Sequence, residues 1–181
     1  MTQNMRRTLC LRSTAAAALL CLAFALTAHA QAWKTYTYSS DGFSASYPSE
    51  PAFQKRDIPT DAGSFELRSY LAQVDDAALY IGVCDYGSAV TGRDPDTVLD
   101  GAQKGAISNV NGHLVSGKKI SLGTYPGLEF QAENDSMHFT ARIYLVGTTL
   151  YQTLTAAAIS KPYPNVTRFL DSFQLIARTR N

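Results

Sequence analysis

The stretch GTYPGLEFQAENDSMHFTARIYLVGTTLYQTLTAAAISKPYPNVTRFLDSF, residues 123–173, decides the fold. Asn134-Asp135 and Gly147-Thr148 each interrupt runs in which apolar and polar residues alternate. Alternation with period two marks strands with one buried face, and short polar or glycine-containing breaks between them mark hairpin turns. A two-residue turn at Asn134-Asp135 pairs Glu133 with Ser136, Phe130 with Phe139 and Leu128 with Ala141, leaving Glu129 diagonal to Arg142. A turn at Gly147-Thr148 pairs Leu145 with Leu150 and Tyr144 with Tyr151. Both turns assign the shared strand the same faces, because register fixes which side every residue takes. Phe130, Phe139, Ile143 and Leu150 point to a core; Glu129, His138, Arg142, Tyr144 and Tyr151 point away from it, and only Gln152 breaks the pattern. Val166, Phe169, Leu170 and Phe173 then recur at i, i+3, i+4 and i+7, which predicts a closing amphipathic helix.

Working toward the N-terminus, Leu114 to Leu122 reads as a further strand, and a helix precedes it. Asp94 can cap that helix, Pro95 suits its first position, and Asp96 complements its dipole. Val98, Leu99, Ala102 and Ala106 give it one apolar stripe, and Asn111-Gly112 ends it. Upstream, residues 33–38, 43–47, 52–58, 65–74 and 78–86 read as strands, with turns at Asp41-Gly42, residues 59–63 and Asp75-Asp76. Leu79, Ile81 and Val83 share one face. Strands joined by hairpins, with a helix between them and another at the end, predict an α+β domain: an antiparallel sheet packed with two helices. No repeat or long linker divides residues 31–181, so one domain is expected.

The chain begins differently. Arg6, Arg7 and Arg12 precede an apolar run over residues 15–26 and then Ala28-His29-Ala30. A basic start, a short apolar segment and an A-x-A site predict a cleavable signal peptide over residues 1–30. The run is shorter than the ~20 residues that span a bilayer. Leu20 before Cys21 does not suit lipidation, and Arg6-Arg7-Thr8-Leu9 only weakly resembles a twin-arginine signal, so general secretion is expected. The protein is then periplasmic or secreted from a bacterium. Cleavage removes Cys10 and Cys21 and leaves Cys84 alone, so the fold must stand on its core without a disulfide. About 150 residues suffice, since a domain of that size buries about 70% of its unfolded surface. Signal removal leaves a mildly acidic chain with no basic stripe, which disfavours nucleic-acid binding.

Four segments carry a resemblance. Asp41-Gly42-Phe43…Tyr47-Pro48, Tyr125-Pro126-Gly127-Leu128-Glu129, Arg142-Ile143-Tyr144-Leu145-Val146-Gly147…Leu150-Tyr151 and Phe169-Leu170-Asp171-Ser172-Phe173 resemble the PsbP-like group of small exported bacterial domains. The resemblance covers most of residues 31–181. It implies an α/β/α sandwich and a non-enzymatic accessory role, as in the extrinsic subunits of the photosynthetic oxygen-evolving complex. It implies no ligand and transfers no site residue.

The chemistry-bearing residues are few. Gly82-Val83-Cys84-Asp85-Tyr86-Gly87 only approximates a nucleophile elbow, and no cation sits beside Cys84 in sequence, so a buried strand residue is expected. His113 and His138 lack metal-ligand spacing, and Asp94, Asp96 and Asp100 lack the order of a calcium loop. Asp135, Ser136 and His138 crowd one turn, too close for a relay in line. No catalytic residue, metal or cofactor is expected. The polar face remains as the candidate surface: Glu129, His138, Arg142, Tyr144 and Tyr151, with Gln131 and Thr153 beside them, for an envelope protein or small ligand bound by a monomer. The alternatives are an envelope hydrolase without a motif, or a structural or stress-related envelope factor.

Overall fold

A computed structural model describes residues 32–60 and 63–179. The expected signal peptide lies outside the described residues. The chain runs through β1 (Lys34–Tyr38), β2 (Phe43–Tyr47), β3 (Ala52–Thr60), β4 (Gly63–Val74), β5 (Ala77–Asp85), α1 (Pro95–Asn109), β6 (His113–Leu122), β7 (Tyr125–Glu133), β8 (Met137–Val146), β9 (Thr149–Ala158), α2 (Val166–Asp171) and β10 (Gln174–Leu175). Seven strands form a sheet in the order β3-β4-β5-β9-β8-β7-β6, and β1-β2-β10 form a second, smaller sheet that the sequence did not foretell. All pairings among the described residues are antiparallel. Among those residues no helix is long and apolar enough to cross a membrane.

The hairpin between β7 and β8 corrects the expected register. Asn134 Oδ1 accepts hydrogen bonds from the backbone N–H of Ser136 (3.1 Å) and Met137 (2.9 Å), and the Asn134 N–H donates to the Met137 carbonyl at 3.0 Å. An asparagine closing its own turn in this way enlarges the loop. Glu133 therefore faces His138, Phe130 faces Ala141, Leu128 faces Ile143, and Ala132 faces Phe139. The slip of two residues preserves every side-chain face, as strand parity requires, and sets Glu129 directly opposite Arg142. The turn between β8 and β9 has the expected register, with Gly147 at φ +61° and Leu145 and Tyr144 opposite Leu150 and Tyr151.

Two cores cover the two faces of the large sheet. On one, α1 packs Leu99 against Leu128, Phe130, Ala141, Ile143, Leu145 and Leu150, with Val98, Ala102 and Ala106 at its margin. Asp94 caps this helix by accepting from the Thr97 N–H at 3.1 Å. The helix leaves through Asn111 at φ +50°, and Gly112 is needed there because a Cβ would sit 2.9 Å from the Glu133 carbonyl oxygen. On the opposite face, Tyr70, Leu79, Ile81 and Val83 meet Phe43, Ala45 and Tyr47 of the small sheet, and Phe169, Leu170 and Phe173 close the layer. The two helices thus lie on opposite faces, in an α+β arrangement.

That second core overturns two expectations. Tyr144 and Tyr151 do not face solvent: both are buried, 4% and 2% exposed, against Phe173. The alternation places them off the α1 face correctly, but β1, β2 and α2 cover that side too. The closing helix is also shorter than predicted. It ends at Asp171, and Ser172 Oγ donates to the Phe169 carbonyl (2.7 Å) while accepting from the Ser46 N–H (2.9 Å). Phe173 reaches the core from beyond the helix, and the chain continues as β10 along β2.

A buried polar cluster joins the small sheet to the large one. Asp41, 4% exposed in the β1–β2 turn, accepts from Arg68 Nε at 2.6 Å and from the Tyr70 hydroxyl. The Tyr151 hydroxyl donates to the Asp41 carbonyl at 2.7 Å and accepts from Arg178 Nη2 at 2.9 Å.

Candidate functional site

The second core reaches β8 at Tyr144 and the edge strand β6 at Ile120 and Leu122, but it does not cover the other end of β7 and β8. There the polar side chains of those strands face α2 and the segment leading into it, across a cleft of about 330 Å³. Glu129, Gln131, His138, Thr140 and Arg142 form one wall, alternate strand positions bringing all five to one side. Thr155 and Ala157 of β9 line it deeper, and Pro162, Tyr163, Val166, Thr167 and Leu170 form the opposing wall. Three of the five residues proposed from sequence, Glu129, His138 and Arg142, therefore meet in one place. Tyr144 and Tyr151 do not line the cleft, although the buried Tyr144 side chain lies within hydrogen-bond reach of Arg142, and Thr153 is fully buried.

Charge in the wall is paired. Arg142 bridges the sheet to α2, with Nε 2.7 Å from Glu129 Oε2 and Nη1 2.7 Å from Asp171 Oδ1. Glu129 also accepts from Lys118 Nζ on β6 at 2.8 Å. The Lys118 hydrogen bond, aided by Arg142, holds the Glu129 carboxyl below its ordinary range against the opposing effect of burial. His138 Nδ1 lies 2.9 Å from Glu133 Oε1, and its Nε2 lies 3.3 Å from Thr140 Oγ1. Gln131 accepts from the Ser116 hydroxyl at 3.2 Å.

Sequence reading missed Lys118, Glu133, Asp171 and the Pro162-Tyr163 wall, whereas the alternation already put Thr140 on the polar face. Asp171 and the wall are remote in sequence from the strands they face, so no local periodicity could join them. Glu133 had a signal, since an asparagine-closed turn would have placed it opposite His138.

Elsewhere, a hollow of about 390 Å³ is lined by Asp85, Tyr125, Thr149, Tyr151 and Arg178. Its arginine is held by Tyr151 and Thr149, at 2.9 and 3.0 Å, and its aspartate by the Thr148 hydroxyl and the Gly87 N–H. Cys84 is buried on β5, and burial pushes its thiol up, against the demands of a nucleophile. Asp94 serves as a helix cap and Asp96 pairs with Lys119 at 2.5 Å. Among the described residues no three His, Cys, Asp or Glu side chains cluster as metal ligands.

No family model matches the chain, and no curated protein matches it. Among solved structures it is similar to the solution structure of cyanobacterial PsbP (CyanoP) from Synechocystis sp. PCC 6803. The match covers 80% of this chain and 93% of that one, with a TM-score of 0.53 and 13% identity. Likeness at that identity is one of fold.

Proposed function

We propose that this chain, built on a PsbP-like fold, is an exported, non-enzymatic binding domain that takes its ligand between the polar wall of β7–β8 and α2. The observation that carries this reading is the convergence of Glu129, His138 and Arg142, with Gln131 and Thr140, in one cleft. A concave site with a few convergent polar groups is where a protein of this size binds a small molecule or a partner's side chains. Export rests on the N-terminal sequence pattern. The test is a nitrogen-15 amide map of the purified protein titrated with envelope extract, split into small-molecule and protein fractions. Shifts should centre on residues 129–142 and 162–167. Shifts confined to α1 or to β3 and β4 would overturn the assignment.

One observation favours a hydrolytic reading: Glu133, His138 and Thr140 form a carboxylate–imidazole–hydroxyl chain whose imidazole and hydroxyl line the cleft. Such a chain can activate a hydroxyl nucleophile. Acyl transfer also needs donors for the developing oxyanion. Thr140 sits mid-strand in β8, which is paired on both edges, so neighbouring backbone N–H groups are engaged in the sheet. Oxyanion donation would fall to Arg142 or Gln131, and binding is the better-supported reading. Ester turnover with p-nitrophenyl acetate, abolished in both His138→Gln and Thr140→Val, would reverse that order.

A further inference from the structure

The chemistry of the two walls narrows the ligand, on the premise that this cleft is the binding site. The polar wall carries its own counter-ions: Glu129 lies between Lys118 and Arg142, and Arg142 between Glu129 and Asp171. His138 Nδ1 is held by a hydrogen bond to Glu133 Oε1 at 2.9 Å. A charged ligand would have to compete with these pairs, breaking contacts as good as those it forms, and like charges on the wall would repel it.

What the wall keeps is neutral hydrogen-bonding capacity of both kinds. The Gln131 amide uses one end toward Ser116 and retains the other. The Thr140 hydroxyl can donate and accept, the Thr155 hydroxyl donates to the Thr140 carbonyl at 3.4 Å and keeps acceptor capacity, and the second imidazole nitrogen is shared only with Thr140 over 3.3 Å. The ion pairs also fix the carboxylate and guanidinium in place, so ordering them on binding costs little entropy. Facing them, Pro162, Tyr163 and Val166 supply an apolar wall with one aromatic ring. The volume, about 330 Å³, lies at the small end of ligand pockets, roughly 300–1,000 Å³.

A ligand matching both walls is uncharged, bears hydroxyls around its edge, and has an apolar face. A pyranose ring has that combination: hydroxyls that each donate and accept, and a face of C–H groups that packs on an aromatic. We infer that the cleft binds a neutral saccharide of one or two rings, with Gln131, His138, Thr140 and the Glu129–Arg142 pair on its hydroxyl edge and Tyr163 against its apolar face.

The probes are glucose, galactose, mannose, N-acetylglucosamine and their 1,4-linked dimers, titrated into the purified protein and followed by saturation-transfer and nitrogen-15 amide NMR. Succinate and putrescine form the charged arms. At least one sugar should saturate, shifting the amides of Gln131, Thr140 and Tyr163. Tyr163→Ala and Gln131→Ala, each checked for a native amide spectrum, should weaken it about tenfold or more, whereas Lys104→Ala on α1 should not. Saturation only by succinate or putrescine overturns the inference, as does silence with every sugar. Silence with sugars together with extract-induced shifts in the same cleft rejects the saccharide and spares the binding reading. Shifts confined to other surfaces reject both.

Discussion

Asp41→Ala offers the sharpest test of how the small sheet is fastened to the large one. The carboxylate is 5% exposed at its side chain, and Arg68, its partner at 2.6 Å, is 18% exposed. Removing one member of a buried ion pair costs about 3–5 kcal/mol, because the surviving charge stays desolvated without its counter-ion. Arg68 retains Glu66 at 3.1 Å and some access to water, which lowers the cost. The Tyr70 hydroxyl, however, loses its acceptor as well, a penalty of about 1–3 kcal/mol if nothing replaces it. The expected loss is about 2–4 kcal/mol, a large part of the roughly 5–15 kcal/mol that holds a domain together. Urea denaturation at pH 7 measures it, with an unchanged slope showing that the unfolded state is the same. Asp41→Asn should cost less, since an amide oxygen can still accept from Tyr70. In a double-mutant cycle, Asp41→Ala combined with Arg68→Met should be less damaging than the sum of the two by about 1 kcal/mol or more. A loss below about 1 kcal/mol for Asp41→Ala, or strict additivity in the cycle, would refute the clamp.

Phe169→Ala should cost about 3–5 kcal/mol, because the ring is 1% exposed and packs 5.1 Å from the Tyr47 ring centre; a midpoint shift worth under 1 kcal/mol would reject that packing. Glu129 has a lowered folded pKa, so its stabilising contribution is present above the unfolded value of about 4.3 and is lost as pH falls through the folded one. Lys118→Met should therefore differ from wild type in urea midpoint near pH 6 and converge on it toward pH 3; a difference constant across that range would deny the linkage. The Cys84 thiol, buried and with a raised pKa, should label with a thiol reagent at pH 8 only as fast as the domain opens. Labelling that is immediate in native buffer would contradict its burial. Mass spectrometry of the exported protein should find an N-terminus at or near Gln31, and a retained leader would remove the case for a periplasmic location.

Much of the architecture was legible because its determinants are local. Asp94, Pro95 and the Val98–Leu99–Ala102–Ala106 stripe specify α1 within a few turns, and Gly147 specifies the β8–β9 register. Parity survived even where the β7–β8 register did not, since Asn134 added two residues rather than one. What escaped was everything that depended on distant segments. Alternation divides the sheet into two sides but cannot say that both are covered, so Tyr144 and Tyr151 read as surface residues until β1, β2 and α2 are laid over them. Asp41 looked like a turn residue, and its partners Arg68 and Tyr70 stand on another strand. The cleft was half legible for the same reason: its strand wall follows from the alternation, whereas Tyr163 and Asp171 reach it only through tertiary folding.

The pairing of β5 with β9 sets an order of assembly. On either side of that seam the sheet is made of neighbours in the chain, β3-β4-β5 and β6-β7-β8-β9, which can form as meanders on the timescale of hairpins, ~1–10 μs each. The seam itself, where Asp85 meets Thr149, must wait for a long loop containing α1 to close. Until it does, each meander presents an unpaired edge flanked by apolar side chains, Ile81 and Val83 on one and Leu150 and Tyr151 on the other. Unpaired edges of that kind recruit strands from other molecules. Slowing this one closure would therefore raise aggregation during refolding while leaving the finished fold as stable as before.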